Sequence, residues 1–138
     1  MEASATTTRG ADLGVMSLVG FAHATSHFFH LVIPSLFPWL MADFGLSFTS
    51  AGTLTTVFFV ISGVGQALTG FAVDRYGAER ALWAGLGLLS LSAVVLGLSQ
   101  GYPTLVVAAA LAGAGNAVFH PADFTVLNRS VSNARLGH

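Results

Sequence analysis

The sequence predicts an all-α membrane protein with four transmembrane helices, and three observations lead there. Hydrophobic residues make up 54% of the chain and charged residues only 8%, with a mean hydropathy of +0.74; a soluble domain of this size needs far more charge to cover its surface. Four apolar stretches, each close to or above the ~20 residues that cross a bilayer as a helix, are divided by short polar segments. All five cationic side chains are Arg, and all fall on one side of the alternating spans.

Residues 1–12 are small and polar with one Arg, and lack the basic start, short apolar stretch and cleavage site of a secretory signal. They are expected to form a cytoplasmic tail. Span one runs roughly Leu13 to Met41. It is long enough to tilt, or to bend at Pro34 and Pro38, where each ring removes a backbone donor. Asp43 and Gly45 end it. Span two runs roughly Ser47 to Val73 and is closed by the polar run Asp74 to Arg80. Span three, about Ala81 to Ser99, contains no ionisable residue. Gln100-Gly101-Tyr102-Pro103 reads as a tight turn, and span four follows from about Thr104 to Leu127. The four spans fill residues 13–128, and 129–138 read as a polar cytoplasmic segment.

Orientation follows from the arginines. Arg9 precedes span one, Arg75 and Arg80 lie between spans two and three, and Arg129 and Arg135 follow span four. The two opposite turns, around Asp43 and Gln100, hold no Lys or Arg. The positive-inside rule then places both termini in the cytoplasm of a cell whose inner, or plasma, membrane the chain crosses.

Small residues stud the spans at Gly63, Gly65, Gly70, Gly85, Gly87, Gly113 and Gly115. In lipid such positions let helix backbones approach closely.

Polar residues inside the spans carry the functional signal. His23, His27 and His30 recur at i, i+4, i+7, which puts them on one stripe of span one, with Thr25 and Ser26 beside them. Asn116, His120 and Asp123 repeat that spacing in span four, and Thr55, Ser62, Gln66 and Thr69 line up in span two. Span three has nothing comparable and is expected to face lipid all round. An ionised carboxylate deep in a bilayer costs on the order of 3 kcal/mol or more, so Asp123 needs a cavity or a partner. It lies within about two helical turns of Arg129, so partial burial is expected. His120 is one turn away, and His23 falls at a similar depth. If spans one and four are neighbours, imidazole and carboxylate can relay protons near neutral pH. Two other readings stay open: mutual hydrogen bonding inside the bundle, and a metal held by two His at i, i+4 with an aspartate. The metal reading is weaker because Ser, Thr and Phe surround the histidines.

The loop after span two reads Gly70-Phe71-Ala72-Val73-Asp74-Arg75-Tyr76-Gly77-Ala78-Glu79-Arg80. It resembles the G-x-x-x-D-R-x-G-x-x-R signature between helices two and three of the major facilitator superfamily, departing from the fuller pattern at Ala78 and Glu79, where basic residues are usual. His27-Phe28-Phe29-His30 with Pro34-Ser35-Leu36-Phe37-Pro38, and Gly115-Asn116-Ala117-Val118-Phe119-His120-Pro121-Ala122-Asp123, resemble the fosmidomycin-resistance branch of that superfamily. The resemblance implies a transporter of twelve helices in two six-helix halves that rock about a central site, with helices one and four lining the cavity and helix three peripheral. This chain then supplies the first part of one six-helix half. Asp74 is expected to hold a cytoplasmic gate against the other half, Arg75 to pair locally, Gly77 to permit a tight turn, and Gly70 and Arg80 to complete the loop.

Alternating access needs two bundles moving against each other. Four helices leading toward a missing fifth are therefore expected to be a truncated gene product, or to work with a missing C-terminal part or further chains. In full-length form the expected function is proton-coupled efflux of a small organic molecule. Its pathway residues are His23, His27, His30, Gln66, Asn116, His120 and Asp123, its partners the lipid bilayer, substrate and protons. Alternatives are a small four-helix exporter acting as a dimer and a non-transporting membrane scaffold. The net charge of −1 offers no basic surface for nucleic acid, and there is no Cys for thiol chemistry. No nucleophile motif or phosphate-binding loop suggests an enzyme, since Gly63-Val64-Gly65 lies inside a span and follows no strand. No cofactor or metal is expected.

Overall fold

A computed structural model of the protein describes residues 9–131, and every regular element among them is an α-helix. The helices are α1 (Arg9–Ser35), α2 (Phe37–Phe44), α3 (Phe48–Tyr76), α4 (Ala78–Gly97), α5 (Tyr102–Asn116) and α6 (Phe119–Ser130). Four helical stretches are long and apolar enough to cross a membrane: Gly10–Ser35, Phe48–Tyr76, Ala78–Gly97 and Tyr102–Ser130. The fourth stretch is thus built from two helices, α5 and α6, and the first span expected from the sequence, Leu13 to Met41, runs through α1 into α2.

Proline chemistry explains both breaks. In span one, Pro38 has no N–H to give to the Pro34 carbonyl. The Leu36 N–H turns back instead to the carbonyls of Val32 and Ile33 at 3.2 and 3.1 Å, and α2 restarts with Pro38 in its first turn. In span four, Pro121 has no N–H for the carbonyl of Ala117, four residues earlier. The chain leaves the helix at Ala117–Val118, and the Thr69 hydroxyl of α3 donates to the Ala117 carbonyl at 2.9 Å. A side chain from another span replaces the missing backbone donor.

The turns use the expected residues. Gly45, at φ 62, closes α2. Ser47 caps α3, its hydroxyl accepting the Ser50 N–H at 3.1 Å. Gly77 alone separates α3 from α4. Its φ of 90 is open to glycine and strained for other residues; its N–H bonds the Val73 carbonyl at 2.9 Å, and its own carbonyl accepts from Ala81 at 3.2 Å.

The first boundary differs from the expected tail of residues 1–12. Helix α1 already includes Arg9, and Asp12 in its first turn is buried; a carboxylate there favours the positive end of the helix dipole. At the other end α6 continues through Arg129 to Ser130. Residues 1–8 and 132–138, Arg135 included, lie outside the described residues.

Helix α5 sits at the centre, with Leu105, Ala108, Ala109, Ala112, Gly113, Gly115 and Asn116 all buried. Of an 18-residue apolar stretch in the span containing it, 61% is buried inside the bundle, against 17% for the corresponding stretch of each other span. Three apolar layers stack along it. Ile33, Leu40, Leu54, Leu105 and Ala109 form the first, Phe58, Leu89, Ala112 and Phe119 the second, and Val73, Ala78, Val118 and Ala122 the third.

Helix α4 corrects the expectation that span three faces lipid all round. Gly85, Leu89 and Ser92, at i, i+4, i+7, are buried, and the Ser92 hydroxyl donates to the Ala108 carbonyl of α5 at 2.8 Å. A Cβ on Gly85 would lie 3.0 Å from the Gly115 carbonyl. The backbones touch because both residues lack side chains. Gly65 and Gly113 serve similar crossings, where a Cβ would meet Ala117 Cβ at 2.6 Å and the Phe58 carbonyl at 2.5 Å respectively. Gly63, Gly70 and Gly87 have open space instead.

The exterior is apolar: Leu18, Phe21, Phe28, Leu31, Trp39, Leu68, Phe71, Trp83 and Phe124 are each more than 60% exposed. Such a surface is disfavoured in water and stable in lipid.

Candidate functional site

The histidine stripe of α1 faces α6 and α3. Helix α6 begins at Phe119, so His120 and Asp123 lie three apart on one face and meet the stripe at His23. His23 Nδ1 and Asp123 Oδ2 are 2.7 Å apart. Asp123 is only 5% exposed, because α1 covers it. Its second oxygen, Oδ1, is buried with no hydrogen-bond partner among the described residues.

From this pair the polar groups run along α1. His27 Nε2 lies 3.0 Å from His23 Nε2. The His27 and His30 rings meet edge-on, with centroids 4.8 Å apart, and no hydrogen bond joins them among the described residues. His30 then starts a second chain of bonds, its Nε2 lying 2.8 Å from Asn116 Oδ1. The Asn116 amide donates to Ser62 Oγ at 2.6 Å, and Gln66 Nε2 donates to the same oxygen at 3.2 Å. His30 also packs against the Phe58 and Phe59 rings at 5.1 and 5.6 Å.

Six of the seven expected pathway residues therefore belong to two hydrogen-bonded strings, Asp123–His23–His27 and His30–Asn116–Ser62–Gln66. His120 stands differently. Its ring lies 4.9 Å from that of His23 and 6.4 Å from that of His27, and it makes no hydrogen bond among the described residues. With Asp123 and His23 it lines a groove of about 430 Å3 between α1 and α6, whose walls are Met16, Val19, Phe124 and Leu127.

Both nitrogens of His23 are engaged, one by Asp123 and one by His27, which leaves no lone pair for a metal ion. Among the described residues no group of three His, Asp or Glu side chains is arranged to hold one.

The loop residues lie apart from this cluster. Asp74, Arg75 and Arg80 are exposed around the Gly77 turn. Arg75 rests over the Tyr76 ring at 5.6 Å and makes no ion pair among the described residues. Gly70 sits one turn before Asp74 with open space at its Cβ position, and Arg80 lines a small recess with Thr69, Tyr76 and Val118.

Ser62 is the member of these strings hardest to foresee. It is the shared acceptor of the second string, yet in sequence it is one small hydroxyl among several. Its spacing of four from Gln66 was the available signal. Thr69, likewise, is set apart only by its partner, the carbonyl that Pro121 leaves free.

The profile of the Major Facilitator Superfamily matches residues 16–138. The chain belongs to that superfamily. It is similar to the fosmidomycin resistance protein of Escherichia coli (strain K12), 29% identical over 135 residues, covering 98% of this chain and 33% of the relative. An uncharacterised transporter of the same type from Bacillus subtilis (strain 168) is 28% identical over 107 residues, 78% of this chain and 26% of its own length. The arabinose-proton symporter of the same organism is 27% identical over 119 residues, 83% of this chain and 26% of the symporter. The chain thus spans about a third or less of the relatives it matches. No solved structure matches it significantly. Family membership makes the apolar helices membrane spans.

Proposed function

We propose that this chain forms the opening four spans of a proton-coupled exporter of small organic molecules, in which His23 and Asp123 take up and release the coupling proton. The contact between His23 Nδ1 and Asp123 Oδ2 carries the reading. It joins the first and fourth spans, it is made by the two residue types that most readily exchange protons near neutral pH, and it opens onto a groove large enough for water and a small solute. A buried ionisable pair in a membrane span is costly and is kept where charge must cross.

The relatives support the two finer parts of this reading. One is named as a proton symporter and another for resistance to fosmidomycin, which favours proton coupling and an outward direction. The arginines support an orientation with both termini in the cytoplasm of the inner membrane: Arg75, Arg80 and Arg129 flank the spans on one side, and the turns at 45–47 and 98–101 carry no cation. In the complete transporter, Asp74 and its loop face the other half of the molecule across the cytoplasmic gate.

Membrane vesicles with an imposed pH gradient provide the test. The chain alone is compared with the chain extended by the downstream helices its relatives carry. The extended protein is expected to accumulate a test solute only while the gradient lasts. Accumulation that persists after a protonophore collapses the gradient contradicts the proposal.

A further inference from the structure

The two bonds that His23 makes tie the protonation of Asp123 to the tautomer of His27. With Asp123 ionised and His23 neutral, the acceptor oxygen Oδ2 at 2.7 Å requires a proton on His23 Nδ1. The other nitrogen, Nε2, is then a lone pair. His27 Nε2, at 3.0 Å, completes the contact only by donating, which fixes His27 as the Nε2–H tautomer with a bare Nδ1.

One added proton reverses this. If it rests on His23, both ring nitrogens donate, so His27 Nε2 must accept and its proton sits on Nδ1. If it rests on Asp123, the new O–H donates to His23 Nδ1, His23 carries its proton on Nε2, and His27 Nε2 must again accept. The balance closes in the second case. A proton joins His27 Nδ1, the Nε2 proton of His27 passes to His23 Nε2, and the Nδ1 proton of His23 passes to Asp123 Oδ2. All three groups end neutral, with both bonds kept and their polarity reversed. A third placement leaves the added proton on His27 as an imidazolium. It sets the charge beside the rings of His23, His30 and His120, at centroid distances of 4.7, 4.8 and 6.4 Å, and away from the carboxylate that favours it.

We infer that His27 is a tautomeric switch read by the cargo: Nδ1 is a hydrogen-bond acceptor while the Asp123–His23 pair is unloaded and becomes a donor when the pair takes up one proton. The inference rests on the proton role assigned to that pair. His27 is exposed, and its Nδ1 has no hydrogen-bond partner among the described residues. A solute offering an oxygen that can only accept, a carbonyl or a carboxylate, is therefore held at His27 by the loaded form and released by the unloaded one. The titratable groups facing His23 and His27 are His30 on α1 and His120 and Asp123 on α6. Helices α3 and α5 present only Ser62, Gln66 and Asn116 to this cluster, and Glu79 of α4 lines a separate groove with Phe21 and Ala22. His120 has no bond in the string and acts on it only through its ring edge.

Nitrogen-15 and carbon-13 spectra of the 138-residue chain labelled at histidine and at the aspartate carboxyls, in lipid nanodiscs and followed with pH, test this directly. Imidazole nitrogen shifts distinguish the two tautomers from the cation. The expected result is His27 as Nε2–H at alkaline pH, converting to Nδ1–H as the His23–Asp123 pair takes its first proton. If His27 keeps its Nε2 proton through that step, or passes straight to the imidazolium, the inference is overturned while the pair's proton role stands. If His23 titrates without any response at the Asp123 carboxyl carbon, the proton role of the pair fails as well.

Discussion

Asp123 and His23, one hundred positions apart in the chain, meet at 2.7 Å where α6 crosses α1. Neither helix makes this contact alone. It depends on Pro121, which ends α5 early and lets α6 begin at Phe119, and on Thr69, which satisfies the carbonyl that the proline leaves free. The break in span four and the His23–Asp123 contact are parts of one arrangement.

That dependence can be measured by a double-mutant cycle. Thr69→Val removes the donor to the Ala117 carbonyl and is expected to cost about 0.6–1.7 kcal/mol, the range for hydrogen bonds between membrane helices. In a Pro121→Ala background residue 121 regains an N–H for that carbonyl, so the same Thr69→Val change should cost less. Reversible unfolding in mixed micelles reads the difference. Equal costs in the two backgrounds would show that Thr69 does not substitute for the missing donor.

Helix crossing at glycine gives a second outcome. A Cβ at Gly113 would lie 2.5 Å from the Phe58 carbonyl, whereas one at Gly87 meets nothing within 4 Å. Gly113→Ala is therefore expected to destabilise by about 1–3 kcal/mol, the usual result of overpacking. Gly87→Ala should be neutral or stabilise by up to about 1 kcal/mol. The same micelle unfolding measures both, and a tolerated Gly113→Ala would contradict the close approach of α3 and α5.

Much of this was legible in the sequence, and the limits are physical. Apolar runs and their polar ends located the spans to within a few residues, because a bilayer imposes length and hydropathy on each helix separately. Gly77 was readable as a turn. The histidine stripe was readable too, since i, i+4, i+7 spacing holds in any helix. Which small residues sit at crossings was not: Gly113 and Gly87 look alike until a partner helix chooses a face. Ser92 hid the inward face of α4 for the same reason. The stripe Asn116, His120, Asp123 was read as one helix, but Pro121 divides it, so Asn116 and Asp123 serve different strings. Asp12 reads in the sequence as part of a tail, and the structure buries it in the first turn of α1.

Orientation is open to chemical labelling because the chain contains no Cys. Gln100→Cys and Tyr76→Cys place single thiols at exposed positions on opposite sides of the bundle. A membrane-impermeant maleimide added to intact cells should modify the first, and the second only after permeabilisation. The reverse pattern would overturn the cytoplasmic placement of the termini.

The most direct test of the central claim is Asp123→Asn in the extended transporter, assayed for uphill transport under an imposed pH gradient and for downhill flux without one. An amide cannot take up the proton that His23 delivers, so accumulation against the gradient should disappear while downhill flux persists. Uphill transport at the unmodified level in the Asn variant would contradict the claim that this carboxylate carries the coupling proton.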